Sequence, residues 1–355
     1  MMKFMKQTHS TFTTQFIKSI EQNDLTSLID LLESNESNDS NDSNESDTLL
    51  QLLNTHLFLN SSYSFTGFTP LVYAVKKYYN DMVLLLLQYK ANPNTICNDW
   101  TPLMHACNNQ NIEAIQHLIK FKANINYTHC NNLYRKYSRL EYGKLSCLYI
   151  SCMNNSHVDT IRLLLKNEAN PNICNMNLPL IEAIRNKNEE VCKVLIDFNV
   201  NISALDKCNR NALYYTIIYK LPNITELLLQ KGINVNIFDM NKCTPLYYAI
   251  TTKNIPIVKI LLEYKADPNN CIQDFNILQY ILNYIPYEKS IMTIFLLLIS
   301  YQADYSFLFS KEYVQNKKYD KIINGILNLK KRKLTTLEYL RRREVKNLKN
   351  KSKKN

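Results

Sequence analysis

Thr244-Pro245-Leu246-Tyr247-Tyr248-Ala249 carries a helix start and a helix face in six residues. Threonine just before the first turn can accept from a backbone N–H that has no partner inside the helix. Proline suits the first helical position because the N–H it lacks would be unpaired there. Leu246 and Ala249 share one face, so the large side chain fills a core and the small one admits a close neighbour. The same pattern stands at Thr101-Pro102-Leu103-Met104-His105-Ala106 and Thr69-Pro70-Leu71-Val72-Tyr73-Ala74.

Outward from these stretches, seven leucines keep one register: Leu71, Leu103, Leu148, Leu180, Leu213, Leu246 and Leu278, at intervals of 32, 45, 32, 33, 33 and 32 residues. A second series follows at a near-constant distance, formed by Asn92, Asn124, Asn170, Asn201, Asn234, Asp267 and Asp304. Ser146, Asn211 and Asn276 can cap as threonine does, whereas Leu178 cannot. Three residues past the leucine, Ala74, Ala106, Ser151, Ala183, Thr216 and Ala249 are small. A second apolar helix then follows, as in Ile115 to Ile119, Ile161 to Leu165 and Val258 to Leu262. Helices this short are marginal alone in water, so stacking has to hold them.

Motif, period and paired helices together resemble the ankyrin repeat over about residues 65 to 306. The resemblance implies an all-α ankyrin-repeat solenoid of stacked helix pairs with projecting hairpins, whose concave groove binds other proteins. The expected organisation is a divergent helical opening repeat over 1–33, an acidic disordered linker over 34–47, the array over 48–306 and a basic tail over 307–355. Two departures stand out. The family's usual histidine after the leucine is replaced by Val72, Met104, Tyr149, Ile181, Tyr214, Tyr247 and Gln279, so the hydrogen bonds it would make are expected to be absent. Only four glycines are present where the family favours glycine at turns, so ordinary residues are expected in left-handed backbone at roughly 1 kcal/mol each.

The tract Ser34 to Asp47 repeats serine every third residue with acidic neighbours and holds no apolar side chain, which predicts disorder. Acid-directed phosphorylation and an inert codon expansion are competing readings of it. The 45-residue interval marks an insertion near Tyr127 to Lys144, rich in tyrosine and arginine, which should enlarge one hairpin.

Net charge is +11, with 16 Lys/Arg against 4 Asp/Glu from Phe307 onward. That tail includes Lys330, Lys331, Arg332, Lys333, Arg341, Arg342 and Arg343. A solvated terminus, a nuclear import signal, and a contact to nucleic acid or to an anionic membrane all fit such a run.

Ten cysteines without a Cys-x-x-Cys pair, and only His129-Cys130 as adjacent donors, predict core filler in a reduced compartment and no metal. Met1 to Ser10 lacks an export signal, and the apolar run Ile291 to Ile299 is about half the roughly 20 residues of a membrane span. An intracellular chain, cytoplasmic or nuclear, is expected. No phosphate loop, nucleophile with its base, or carboxylate cluster points to an enzyme, and no cofactor or small-molecule substrate is expected.

A binding scaffold instead predicts aromatic-rich residues on the exposed side of the first helices. Two past each leucine stand Tyr73, His105, Ile150, Glu182, Tyr215, Tyr248 and Tyr280. With Trp100 on a hairpin and Arg185 and Tyr219 beside the row, the partner-binding set is Tyr73, Trp100, His105, Arg185, Tyr215, Tyr219, Tyr248 and Tyr280. Packing against the adjacent repeat is the competing reading of each tyrosine.

Overall fold

The computed structural model describes residues 2–36, 53–54, 68–130, 144–173, 178–270, 276–284 and 289–309. It comprises two compact units, Met1–Lys207 and Cys208–Asn355. In the first, α1 (Met2–Gln22) and α2 (Leu25–Glu36) bury Phe16, Ile20, Leu28 and Leu32. Asn23 turns between them at φ 57°, and Asp24 accepts from the Ser27 N–H at 3.0 Å and the Ser27 hydroxyl at 2.6 Å. Helix α2 includes Ser34, Asn35 and Glu36, so the expected linker does not begin at Ser34. The Ser34 hydroxyl donates to the Leu31 carbonyl at 3.0 Å, which keeps the serine compatible with the last helical turn. Residues 37–47 of that tract, 131–143 of the insertion, and the tail with Lys330 to Arg343 lie outside the described residues.

Four further helix pairs follow in the first unit: α3 (Pro70–Lys77) with α4 (Asn80–Gln88), α5 (Pro102–Asn108) with α6 (Ile112–Lys120), α7 (Cys147–Met153) with α8 (Val158–Lys166), and α9 (Pro179–Arg185) with α10 (Glu189–Asp197). First helices pack on first helices, α3 on α5, α5 on α7 and α7 on α9. The second unit repeats the arrangement with α11 (Ala212–Ile218) and α12 (Pro222–Gln230), α13 (Pro245–Thr251) and α14 (Ile255–Glu263), and α15 (Ile277–Tyr284) and α16 (Lys289–Ser300). There α11 packs on α13, α12 on α14 and α14 on α16.

All seven anchoring leucines are buried, and so are the small residues three positions on. The caps form as their chemistry dictates. Thr69, Thr101, Ser146, Asn211 and Thr244 accept from the second or third N–H of their helices, and Leu178 makes no side-chain cap. Asn276 and Gln279 cap α15 reciprocally, at 2.8 and 3.0 Å. Asn111, Asn188 and Asn254 cap the second helices one way only, each side-chain oxygen accepting from the third N–H of its helix.

Left-handed backbone falls where glycine is usual in the family. Between the paired helices it is taken by Tyr78, Gln110, Asn155, Lys187, Lys220 and Lys253, and after the second helices by Lys90, Lys122, Glu168, Asn199, Gly232, Lys265 and Gln302. Only Gly232 adopts it without steric penalty.

Repeat endings whose third residue is asparagine then fasten the next. The first residue of Asn-x-Asn folds back on the third, as when Asn124 Oδ1 accepts the Asn126 N–H at 3.1 Å. The second asparagine reaches forward: Asn94 Oδ1 accepts the Asn124 N–H at 2.7 Å, and Asn172 Oδ1 accepts the Asn201 N–H at 2.7 Å. In the second unit, Asn236 accepts from Asp267 at 2.8 Å and Asn269 from Asp304 at 2.7 Å. The amide of the same side chain donates to the carbonyl of the next left-handed residue, as Asn126 does to Glu168 at 2.9 Å and Asn236 to Lys265 at 3.2 Å. One side chain thus satisfies two backbone groups of its neighbour, which would otherwise face water alone.

Among the described residues, apart from the single Cys97–Trp100 bridge, the only strands are β1 (His129–Cys130) and β2 (Lys144–Leu145), paired antiparallel with His129 opposite Leu145. They flank the insertion on either side. No described helix is long and apolar enough to cross a membrane.

Candidate partner-binding surface

In the first unit the hairpin before α5 is closed by a two-way bridge, with Cys97 N–H donating to the Trp100 carbonyl at 2.9 Å and Trp100 N–H to the Cys97 carbonyl at 3.0 Å. This sets the Trp100 ring, half-buried, 5.4 Å from the His105 ring on α5. His105 donates to the Cys97 carbonyl, and among the described residues its Nε2 is buried without a hydrogen-bond partner. Burial first, and the nearby Lys76 ammonium second, push the imidazole down to about 4, so it is neutral at pH 7. The Lys76 ammonium sits 4.3 Å from the centre of the Phe68 ring, where the ring face attracts a cation. Tyr73 is buried, contrary to its expected exposure, with Lys77 over its ring at 5.7 Å. Arg185, on α9, is exposed and pairs with Glu182 at 2.7 Å.

The second unit holds a tyrosine network. Tyr214 is fully buried, and its hydroxyl lies 2.7 Å from the Ile237 carbonyl and 2.8 Å from the Cys243 carbonyl, both on the hairpin before α13. The hydrogen bonds expected to be lost with the family histidine are therefore replaced here, because a phenol reaches the hairpin backbone from the same helical position. Asp239, buried in that hairpin, accepts from the Asn241 and Cys243 N–H groups, both at 2.9 Å, through Oδ1. Its Oδ2 accepts from the Tyr248 hydroxyl at 2.7 Å and Arg210 Nε at 3.4 Å. Burial works to raise this carboxyl, and the hydrogen bonds from Cys243, Tyr248, Asn241 and Arg210 outweigh it, leaving it below the usual carboxylate range. Burial, with the bond to Asp239, pushes the Tyr248 phenol up to about 12. Its ring meets Tyr214 and Tyr247 edge-on at 5.4 and 5.7 Å. Tyr247 in turn donates to the Tyr280 hydroxyl at 2.8 Å.

The tyrosines chosen from the sequence thus have different environments. Tyr215 is 8% exposed and packs inward, so it does not offer its ring to a partner in this state. Tyr219, Tyr248 and Tyr280 are half-buried. Tyr247 and Asp239, which organise the network, were missed. The Phe238-Asp239-Met240 stretch of the hairpin is the signal that would have found Asp239. Among the described residues, Cys97, Cys107, Cys147, Cys152, Cys192 and Cys243 are buried free thiols, and no group of three His, Cys, Asp or Glu side chains could hold a metal ion.

The family model for ankyrin repeats, in three copies, matches residues 38–129, 128–206 and 198–271. The chain belongs to the ankyrin-repeat family, whose repeats are generally protein-interaction modules. An ankyrin repeat protein of Acanthamoeba polyphaga mimivirus is 30% identical over 158 residues, which are 43% of this chain and 19% of that relative. The chain therefore matches about a fifth of that relative's length. Among solved structures, the human ASB11 ankyrin repeat domain is similar at TM-score 0.52 and 20% identity, covering 65% of this chain and 98% of that one. The ankyrin repeat domain of Bcl-3, a member of the IkappaB family, is similar at TM-score 0.51 and 18% identity, covering 70% and 97%.

Proposed function

We propose that this chain is a non-catalytic scaffold or adaptor that holds another protein through the first-helix face and hairpins of its repeats. The observation that carries the reading is variation on a constant frame. The anchoring leucine is the same in every copy, whereas the position two residues on carries Tyr73, His105, Ile150, Glu182, Tyr215, Tyr248 and Tyr280. A frame that repeats with contents that do not is what selective contact with one irregular surface requires. Tyrosine, tryptophan and arginine are also the side chains that carry most binding energy at such contacts. We place the contact at Trp100, His105, Arg185, Tyr219, Tyr248 and Tyr280.

The second reading, action through the basic tail on nucleic acid or an anionic surface, is favoured by the 16 Lys/Arg from Phe307 onward. Affinity capture from cell extract separates the two, using the full chain, a chain ending at Ser306, and the full chain with Arg185→Glu and Tyr219→Ser. The scaffold reading expects the double variant to lose its protein partners and the shortened chain to keep them. The reverse result, with capture falling steeply as salt rises, would hand the function to the tail.

A further inference from the structure

We propose that the surface formed by Lys76 and Lys77 of α3 and Trp100 of the next hairpin docks a short acidic segment of another protein, its carboxylates on the lysines and an apolar side chain on the indole. The inference deepens the scaffold reading and rests on it.

Both lysines are exposed at the end of α3, and among the described residues neither is held in an ion pair. Each lies over a ring instead, the Lys76 ammonium 4.3 Å from the centre of Phe68 and the Lys77 ammonium 5.7 Å from that of Tyr73. Both rings are buried, so the two cations rest on a fixed aromatic floor. Burial works against the Lys76 charge and lowers the ammonium from its ordinary 10.5, and no carboxylate is among the groups that act on it. A charge that has given up part of its water without gaining an anion still has that anion to gain.

His105 joins these cations to Trp100. Its ring lies 5.4 Å from the indole and near enough to Lys76 for the ammonium to add to burial in opposing its protonation. The imidazole is neutral at pH 7, so the charge of the patch is that of the two lysines. A carboxylate arriving there meets two cations and, beside them, a half-buried indole that offers apolar surface.

The borders of the patch decide the kind of anion. Asp99 precedes Trp100 with its side chain 67% exposed and paired to His129 at 3.8 Å. On the other side, burial, Tyr79 and then Glu21 of α1 raise the Tyr73 phenol, which puts a second carboxylate near the lysines' floor. A nucleic acid would carry its charge past both carboxylates, and phosphate backbones are held by wider runs of cations. A short peptide segment keeps its charge within the patch.

Trp100 is the chain's only tryptophan, so its emission reports on this site alone. The test titrates the full chain with two short synthetic peptides free of aromatic residues, alike except for a Glu-Glu-Leu core in one and a Lys-Lys-Leu core in the other. The expected result is a saturable shift of Trp100 emission, at least roughly tenfold tighter for the glutamate peptide. Lys76→Met/Lys77→Met, which keeps an apolar stem over each ring and removes the charge, should weaken it roughly tenfold or more, whereas Lys76→Arg/Lys77→Arg should retain it, with both variants folded by circular dichroism. A glutamate peptide held by the basic tail would leave the emission unmoved. That result, equal binding of both peptides, or full binding by the methionine variant would overturn the carboxylate site. The scaffold reading would survive, because its own capture experiment turns on Arg185 and Tyr219. Tighter binding of a single-stranded oligodeoxynucleotide at Trp100, lost in the methionine variant, would overturn the site in favour of nucleic acid.

Discussion

Asn126 accepts the Asn170 N–H at 2.8 Å across 44 residues of chain, nearly the same length as the bond Asn94 makes to Asn124 at 2.7 Å across 30. The insertion between β1 and β2 therefore leaves the joint between its two repeats unchanged. Removing that side chain in Asn126→Ala takes away an acceptor and a donor at once. The loss should be about 1 to 3 kcal/mol, since the Asn170 N–H and Glu168 carbonyl are exposed enough for water to compensate in part. Asn126→Asp keeps the acceptor and should lose about half as much. Urea unfolding of the three chains, with amide exchange at Asn170 as the local readout, checks both.

Lysine at left-handed backbone is a correctable strain. Lys122→Gly and Lys253→Gly, at φ 63° and 53°, should each stabilise the chain by roughly 0.5 to 1 kcal/mol, because only glycine reaches that region freely. Lys120→Gly, at the last residue of α6 two positions away, relieves no left-handed strain and should destabilise by roughly 0.5 kcal/mol. Opposite signs from neighbouring lysines in thermal melts would separate backbone strain from charge.

His105 should make the first unit sensitive to mild acid. Its imidazole sits at about 4 in the fold against an ordinary 6.5, so between these values the unfolded chain takes up the proton that the folded chain refuses. Stability is fully present above pH 6.5 and falls as the pH drops through the window toward 4, by up to about 3 kcal/mol. Asp239, held below its ordinary 3.8, gives way only at lower pH. His105→Gln, which retains a donor for the Cys97 carbonyl, should flatten the melting temperature between pH 6.5 and 4.

The tyrosines should divide by environment. Tyr215→Ala empties a buried site and should destabilise by about 3 to 5 kcal/mol. Tyr214→Phe and Tyr248→Phe keep the ring and remove the hydroxyl that serves the hairpin, for about 1 to 3 kcal/mol each. Arg185→Ala, on the surface, should stay within about 0.5 kcal/mol. Denaturant titrations rank the four, and a harmless Tyr215→Ala would mean that its ring is not core.

The leucine register, the Thr-Pro caps and the glycine-poor turns are legible in sequence because each depends on chemistry within a few residues of chain. The Asn126 joint is not, because its partners lie 42 and 44 residues away and a surface asparagine reads the same with or without them. The sequence leaves the environment of Tyr215 open between groove and core for a related reason. Two positions past the anchoring leucine is the margin of the buried stripe, and the size of neighbouring side chains decides whether a ring there faces water or core. Tyr214 shows the same limit from the other side. Departure from histidine is plain in the sequence, but whether a longer side chain recovers the bond depends on where the next hairpin runs.

The staples at Asn94, Asn126, Asn172, Asn236 and Asn269 use the same two atoms of the same residue type, so a repeat that ends in this asparagine carries a plug that fits the socket of an equivalent neighbour. A gene that duplicates or drops one such block of about 33 residues within a unit presents the old plug to an equivalent socket. The lineage can then lengthen or shorten the surface it offers to partners by whole modules, with no new joint to invent.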